Sequence, residues 1–205
     1  MKNVSEWLHG DQVLARLAVL WTICALPFTV SWTASYHLLP EGVLRGKLPG
    51  QYIPVETPQI ITTFLRVFGV NLLAGCGLVA LANLCQAGRT PLGYPIVMVH
   101  AVLYGILLGT NSFGIPAPAH FAPSLATVLS RSGAFEITAY IAIAAATKGL
   151  VIWRQPSWLN WRSGQVGSWR KWRLNRAEIA MIVGAILLLA AANCREAFQI
   201  QQALG

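Results

Sequence analysis

Few residues in this chain could do chemistry, and most of those are embedded in apolar sequence. Glu136 stands near the start, and Lys148 near the end, of Ser132–Trp153, SGAFEITAYIAIAAATKGLVIW. About 20 apolar residues match the roughly 30 Å hydrocarbon core of a bilayer, where a helix most simply satisfies every backbone N–H and C=O. A charge at the centre of that solvent costs about 2.5–3.5 kcal/mol on insertion scales, so an intramembrane carboxylate marks a functional position. Arg66, Asn71, Asn193, Arg195 and Glu196 interrupt other apolar runs. Amides in such runs bond across helices, and a cation beside a carboxylate forms an ion pair.

Other chemistries lack their residues. An intramembrane protease needs a nucleophile with its base, or metal ligands at fixed spacing; H-E-x-x-H, G-x-S-x-G and a paired Glu-Glu followed by Arg are all absent. His9, His37, His100 and His120 are dispersed, and only His100 falls deep in an apolar run, where a packed, hydrogen-bonded histidine is expected rather than a haem or metal ligand. Cys24, Cys76, Cys85 and Cys194 form no C-x-x-C pair and read as small core residues. With no P-loop and no G-x-G-x-x-G, the expectation is a non-enzymatic protein without metal or cofactor.

Positioning these groups requires a bundle of transmembrane helices. Of 205 residues 55% are hydrophobic and 11% charged, against about 25% charged in soluble domains. The fold class is all-α, a polytopic membrane helix bundle forming a single domain over 1–205. Its five expected spans are 13–36, 59–86, 92–111, 133–153 and 177–200. Residues 13–36 are longer and richer in Trp than a signal-peptide core and read as a retained anchor, with Pro27 a kink. Residues 37–58 carry Pro40, Pro49, Pro54 and Pro58 and read as a loop; Ala87–Thr90 reads as a short turn. Residues 112–131 are open to two readings, a plain loop or a short interfacial or re-entrant helix. Gly75, Gly105-x-x-x-Gly109 and Gly133 supply small surfaces for helix packing. Tyr140, Ile143 and Thr147 share a helical face with Glu136.

Net charge is +8, but six of the fifteen basic residues lie between Arg154 and Arg176, an interval without Asp or Glu. Such a block is a topology signal and a site for anionic headgroups, not for nucleic acid. The loop 154–176 is therefore cytoplasmic, with Arg162, Arg170, Lys171 and Arg173 meeting lipid headgroups and Trp161, Trp169 and Trp172 at the interface. Asn175 and Glu178 have capping-box spacing for the last span. Five spans then place the N-terminus inside and the C-terminus outside. At 1.5 Å per residue Arg66 lies on the order of 10 Å and Glu136 about 5 Å below the outer boundary, which makes them a candidate ion pair. Asn111, Asn193, Arg195 and Glu196 approach the same level, while Lys148 lies near the inner face, where its stem can snorkel.

The run around Phe64–Gly77 with Asn71 and Gly75, then Gly133-Ala-Phe-Glu136 opening a small-residue helix, the basic loop, and a last span ending in Arg195-Glu196-Ala197 resemble the stage II sporulation protein M family of bacterial integral membrane proteins. The resemblance runs from about Gln59 to the C-terminus. Where the family often has the His of H-G-x-x-E this chain has Ser132, which weakens a proton-transfer role and leaves Gly133 and Glu136 as the carried-over positions. The resemblance implies a multispan scaffold in a bacterial cytoplasmic (inner) membrane, not a sporulation role.

Two functions follow. In one, a scaffold or complex subunit recruits other membrane or cell-envelope proteins through the outer cluster Arg66, Asn71, Glu136, Asn193, Arg195 and Glu196, with a homo-oligomer left open. In the other, a small transporter or channel subunit lines a path with Arg66, Asn71, His100 and Glu136. The same polar cluster could also serve only to fasten the helices. The lack of visible internal repeats favours the scaffold.

Overall fold

A computed structural model describes residues 4–47, 59–115, 121–160 and 162–204. The chain is mostly helical. A short α1 (Val4–His9) precedes α2 (Val13–Leu38), which carries Pro27 within it. The next rod is α3 (Ile60–Val70), a π-type wide turn (Asn71–Gly77) and α4 (Leu78–Ala82). Then come α5 (Gly93–Gly109), α6 (Leu125–Ser130), α7 (Gly133–Ala146) and α8 (Arg176–Leu204).

Three helical stretches, Val13–Leu38, Ile60–Ala82 and Arg176–Ala203, are long and apolar enough to cross a membrane. The two other apolar helices are shorter than the sequence suggests. The stretch 133–153 is helical only to Ala146, so its 14 residues rise about 21 Å, short of a 30 Å core. The carbonyls left without intrahelical partners at its end are taken by side chains from other helices: Arg16 Nε donates to Ala145 O and Asn83 Nδ2 to Ala144 O. The stretch 59–86 likewise leaves the helix after Ala82, and the last helix runs on past 200 to Leu204.

What replaces the missing helix is a small sheet. Strand β1 (Cys85–Ala87) turns through Gly88, at φ +60°, into β2 (Thr90–Pro91); β3 (Trp153–Gln155) pairs parallel to β1, and β4 (Gly164–Gln165) antiparallel to β3. The basic loop 154–176 is thus partly strand, docked on the turn between α4 and α5, and not simply laid along a surface. Within 112–131, residues 121–124 lead into α6, whose N-cap Ser124 accepts a hydrogen bond from Thr127 N.

The helices alternate in direction. One end, the sheet end, gathers the N-termini of α2, α5 and α8 with the C-termini of α4 and α7; the far end gathers the opposite termini. Helix α7 packs against α2, α5, α8 and the wide turn, with Ala139–Ala146 buried throughout. Helices α2 and α5 approach most closely where a Cβ on Gly109 would meet Trp32 O and Tyr36 N, both at 2.7 Å, and one on Gly105 would meet Phe28 O at 2.6 Å.

Candidate functional site

The far end holds a buried cluster of polar side chains built from the starts and ends of helices. Ser132 caps α7 through its backbone, its carbonyl accepting from Phe135 N and Glu136 N, while its hydroxyl makes no capping bond. An N-cap serine ordinarily spends that oxygen on the helix. Gly133 lets the ring of Tyr104 lie against the α7 backbone, where any Cβ would collide with it. The ring is held from behind by stacking on Phe28, 5.9 Å between centroids.

Glu136 faces Glu196 of α8 within hydrogen-bonding reach, and Tyr104 lies within the field of both carboxyls. Arg131 stands at the cluster's edge, its guanidinium 4.1 Å from the Phe121 ring centroid and close enough to act on Tyr104 and Glu196. Burial pulls the Arg131 guanidinium below its usual range, and Tyr104 and Glu196 oppose that. Asn71 Nδ2 donates to Asn193 Oδ1 at 2.7 Å, joining the wide turn to α8. Three buried atoms of this region, Ser132 Oγ, Glu136 Oε1 and Asn193 Nδ2, have no hydrogen-bond partner, while the Tyr104 hydroxyl lies against the Gly133 backbone. Buried polar atoms are normally satisfied, and each exception needs an explanation.

Other expected members of the cluster lie elsewhere. Arg66 is exposed on α3, whereas Glu136 turns inward to Glu196, so the Arg66–Glu136 ion pair expected from depth alone does not form: equal depth does not fix the same face of the bundle. Arg195 is exposed and donates to Leu129 O at 3.0 Å and Ser130 O at 2.6 Å, tying α8 to the end of α6. Gly75 takes the ring of Tyr140, a side chain that lies one turn below Glu136 and within its field. His100 Nδ1 pairs with Ile96 O at 2.8 Å, and its ring meets Tyr140 edge-on at 5.2 Å. Asn111 Nδ2 donates to Glu41 Oε1.

The sheet end carries a second polar centre that sequence reasoning missed. Arg16, 2% exposed, donates to Ala145 O at 3.0 Å, to Gly10 O at 2.8 Å and to Glu178 Oε1 at 2.7 Å. Glu178 is held in turn by the capping box that its spacing predicts, accepting from Asn175 N and donating its own N–H to Asn175 Oδ1. Lys148 Nζ donates to the carbonyls of His9 and Gly10, at the half-buried C-terminal end of α1. Opposite charges in the first turns of two apolar runs were the available signal for Arg16 and Glu178.

At the basic loop, Arg162, Arg170, Arg173, Trp169 and Trp172 are exposed, as headgroup contact requires; the side chains of Trp161 and Lys171 lie outside the described residues. No three His, Cys, Asp or Glu among the described residues are grouped to hold a metal.

No family model, curated protein or solved structure matches the chain.

Proposed function

We propose that the chain is a multi-pass protein of a bacterial cytoplasmic membrane, N-terminus inside, that acts as a small transporter or channel subunit through its far-end cluster. The observation that supports this is the Glu136–Glu196 pair set among buried polar atoms that lack partners. Polar groups inside a transmembrane bundle mark substrate and ion pathways. Beneath the pair, Tyr140 and then His100 continue a polar line towards the bundle centre.

A docking surface for another protein would present its polar groups outward. Here the carboxyls point into the bundle, and Arg195 is occupied with the carbonyls of α6. Of the two functions open from the sequence, the cluster therefore favours transport over the scaffold. The resemblance to the stage II sporulation protein M family belongs to the same proposal, since Gly133 and Glu136, the positions it carries over, are both at the cluster.

The test is flux in proteoliposomes containing the purified protein. Glu136→Gln and Glu196→Gln are expected to lower flux at least tenfold, and Arg66→Gln to leave it unchanged. Flux indifferent to both carboxyl changes would refute the proposal. So would an absence of flux together with a stoichiometric membrane partner that Glu136→Ala releases, which would restore the scaffold.

A further inference from the structure

The connection between β3 and β4 breaks the usual chemistry of a turn. Asn160 N donates to Ser157 O at 3.3 Å and the two residues pair as a bridge, so Trp158 and Leu159 are the central residues of a tight turn. Such positions ordinarily take Gly, Asn, Asp, Ser or Pro, which suit a turn in water. Here the tryptophan is 53% and the leucine 92% exposed. A residue choice that breaks a local rule with no gain inside the fold points to function. The same end of the molecule carries Trp169, 72% exposed, and Arg154, Arg162, Arg170, Arg173 and Arg176, all exposed.

Among the described residues no carboxylate pairs with these arginines. The interval 154–176 holds no Asp or Glu, Arg154 Nε is bonded to the neutral amide of Gln86, and Glu178, the next carboxylate in the chain, is committed to Arg16. The turn is also tethered close to the ends of apolar helices. Strand β3 pairs with β1, which begins at Cys85, three residues beyond the end of α4 at Ala82, and Trp153 N donates to Leu84 O at 2.9 Å. We propose that the β3–β4 hairpin docks on an anionic lipid leaflet, with Trp158 and Leu159 inserted at its tip and Arg162, Arg170 and Arg173 on headgroup phosphates. Tryptophan settles at headgroup level, where its ring meets hydrocarbon and its N–H meets water, and clustered cations beside a transmembrane segment attract anionic lipid. Cations of one sign spread over 154–176 suit a continuous anionic surface, which a leaflet presents and a single acidic patch on a protein does not. This docking requires the chain to span a membrane but does not require it to transport.

The experiment places the full chain in nanodiscs of phosphatidylcholine, with or without phosphatidylglycerol, and reads the depth of a nitroxide at position 159. Leu159→Cys is labelled in a Cys85→Ser, Cys194→Ser background, since Cys24 and Cys76 are buried. Collisions with oxygen, which partitions into lipid, and with a water-soluble nickel chelate report that depth. Adding phosphatidylglycerol is expected to lower the label's accessibility to nickel about fivefold. With Arg162→Gln, Arg170→Gln and Arg173→Gln together, all exposed positions whose change leaves the core untouched, that difference is expected to vanish. The proposal is overturned if the label stays equally open to nickel in both lipids, or if it is equally shielded in both and the three arginines do not matter. Shielding that appears only on adding a soluble protein fraction would overturn it too and give the tip to a protein partner.

Discussion

Replacing Arg16 by Met is expected to be among the most damaging single changes outside the apolar core. The side chain is buried at the sheet end and joins three helices: its own α2, the last turn of α7 through Ala145 O, and the first turn of α8 through Glu178. Met keeps the apolar stem but removes the guanidinium and its charge. Glu178, 9% exposed, would keep its bond from Asn175 N and lose its cation, and breaking a buried pair from one side costs about 3–5 kcal/mol. Gly10 O retains Lys148, whereas Ala145 O loses the guanidinium and adds about 1 kcal/mol. Glu178→Gln keeps an acceptor for the capping box and removes only the charge. If the penalty arises from stranding one charge, the double variant Arg16→Met with Glu178→Gln should be no less stable than Arg16→Met alone, a coupling of about 2–3 kcal/mol. Equilibrium unfolding in mixed micelles across the four proteins measures this. A loss below about 1 kcal/mol for Arg16→Met, or strictly additive single changes, would refute the reasoning.

Two further outcomes follow from packing and hydrogen bonding. Gly109→Ala pushes a methyl group into Trp32 O and Tyr36 N of α2, atoms that cannot rotate away, and is expected to cost about 1–3 kcal/mol, seen as a lowered unfolding midpoint in detergent. Asn83→Leu removes the bonds to Ala144 O, Thr147 Oγ1 and Gly93 N at a fully buried position; it strands at least one backbone group for about 1–3 kcal/mol, and hydrogen exchange at Gly93 should rise if that bond is the one holding the start of α5.

Much of the cluster's composition was legible because polar residues are conspicuous in apolar sequence: Asn71, Glu136, Asn193 and Glu196 all stand out on that ground alone. Which of them meet was not. Depth along a helix follows from residue number, but the face that a residue presents depends on how the helix is rotated among its neighbours. Arg66 and Glu136 could therefore share a level and still point apart. Tyr104 and Ser132 gave no signal, since an aromatic in an apolar run and a serine before a glycine are ordinary core and cap residues. Arg16 is a single cation at the start of an apolar run, and only its neighbours in space reveal its role.

Legible from the sequence alone were the apolar stretches that become the main helices and the capping box that starts the last, although all five were expected to span and only three are long and apolar enough to cross a membrane. Those follow from hydropathy and local hydrogen bonding, which act over a few residues. The tertiary structure decided where helices end and which polar atoms converge. Arg16 and Asn83, distant in the chain, satisfy the carbonyls left free where α7 ends, and Glu196 rather than Arg66 faces Glu136 because α8 packs beside α7. Such choices are made by contacts between distant segments, 61 residues apart for Asn83 and Ala144 and 129 for Arg16 and Ala145, and no local pattern encodes them.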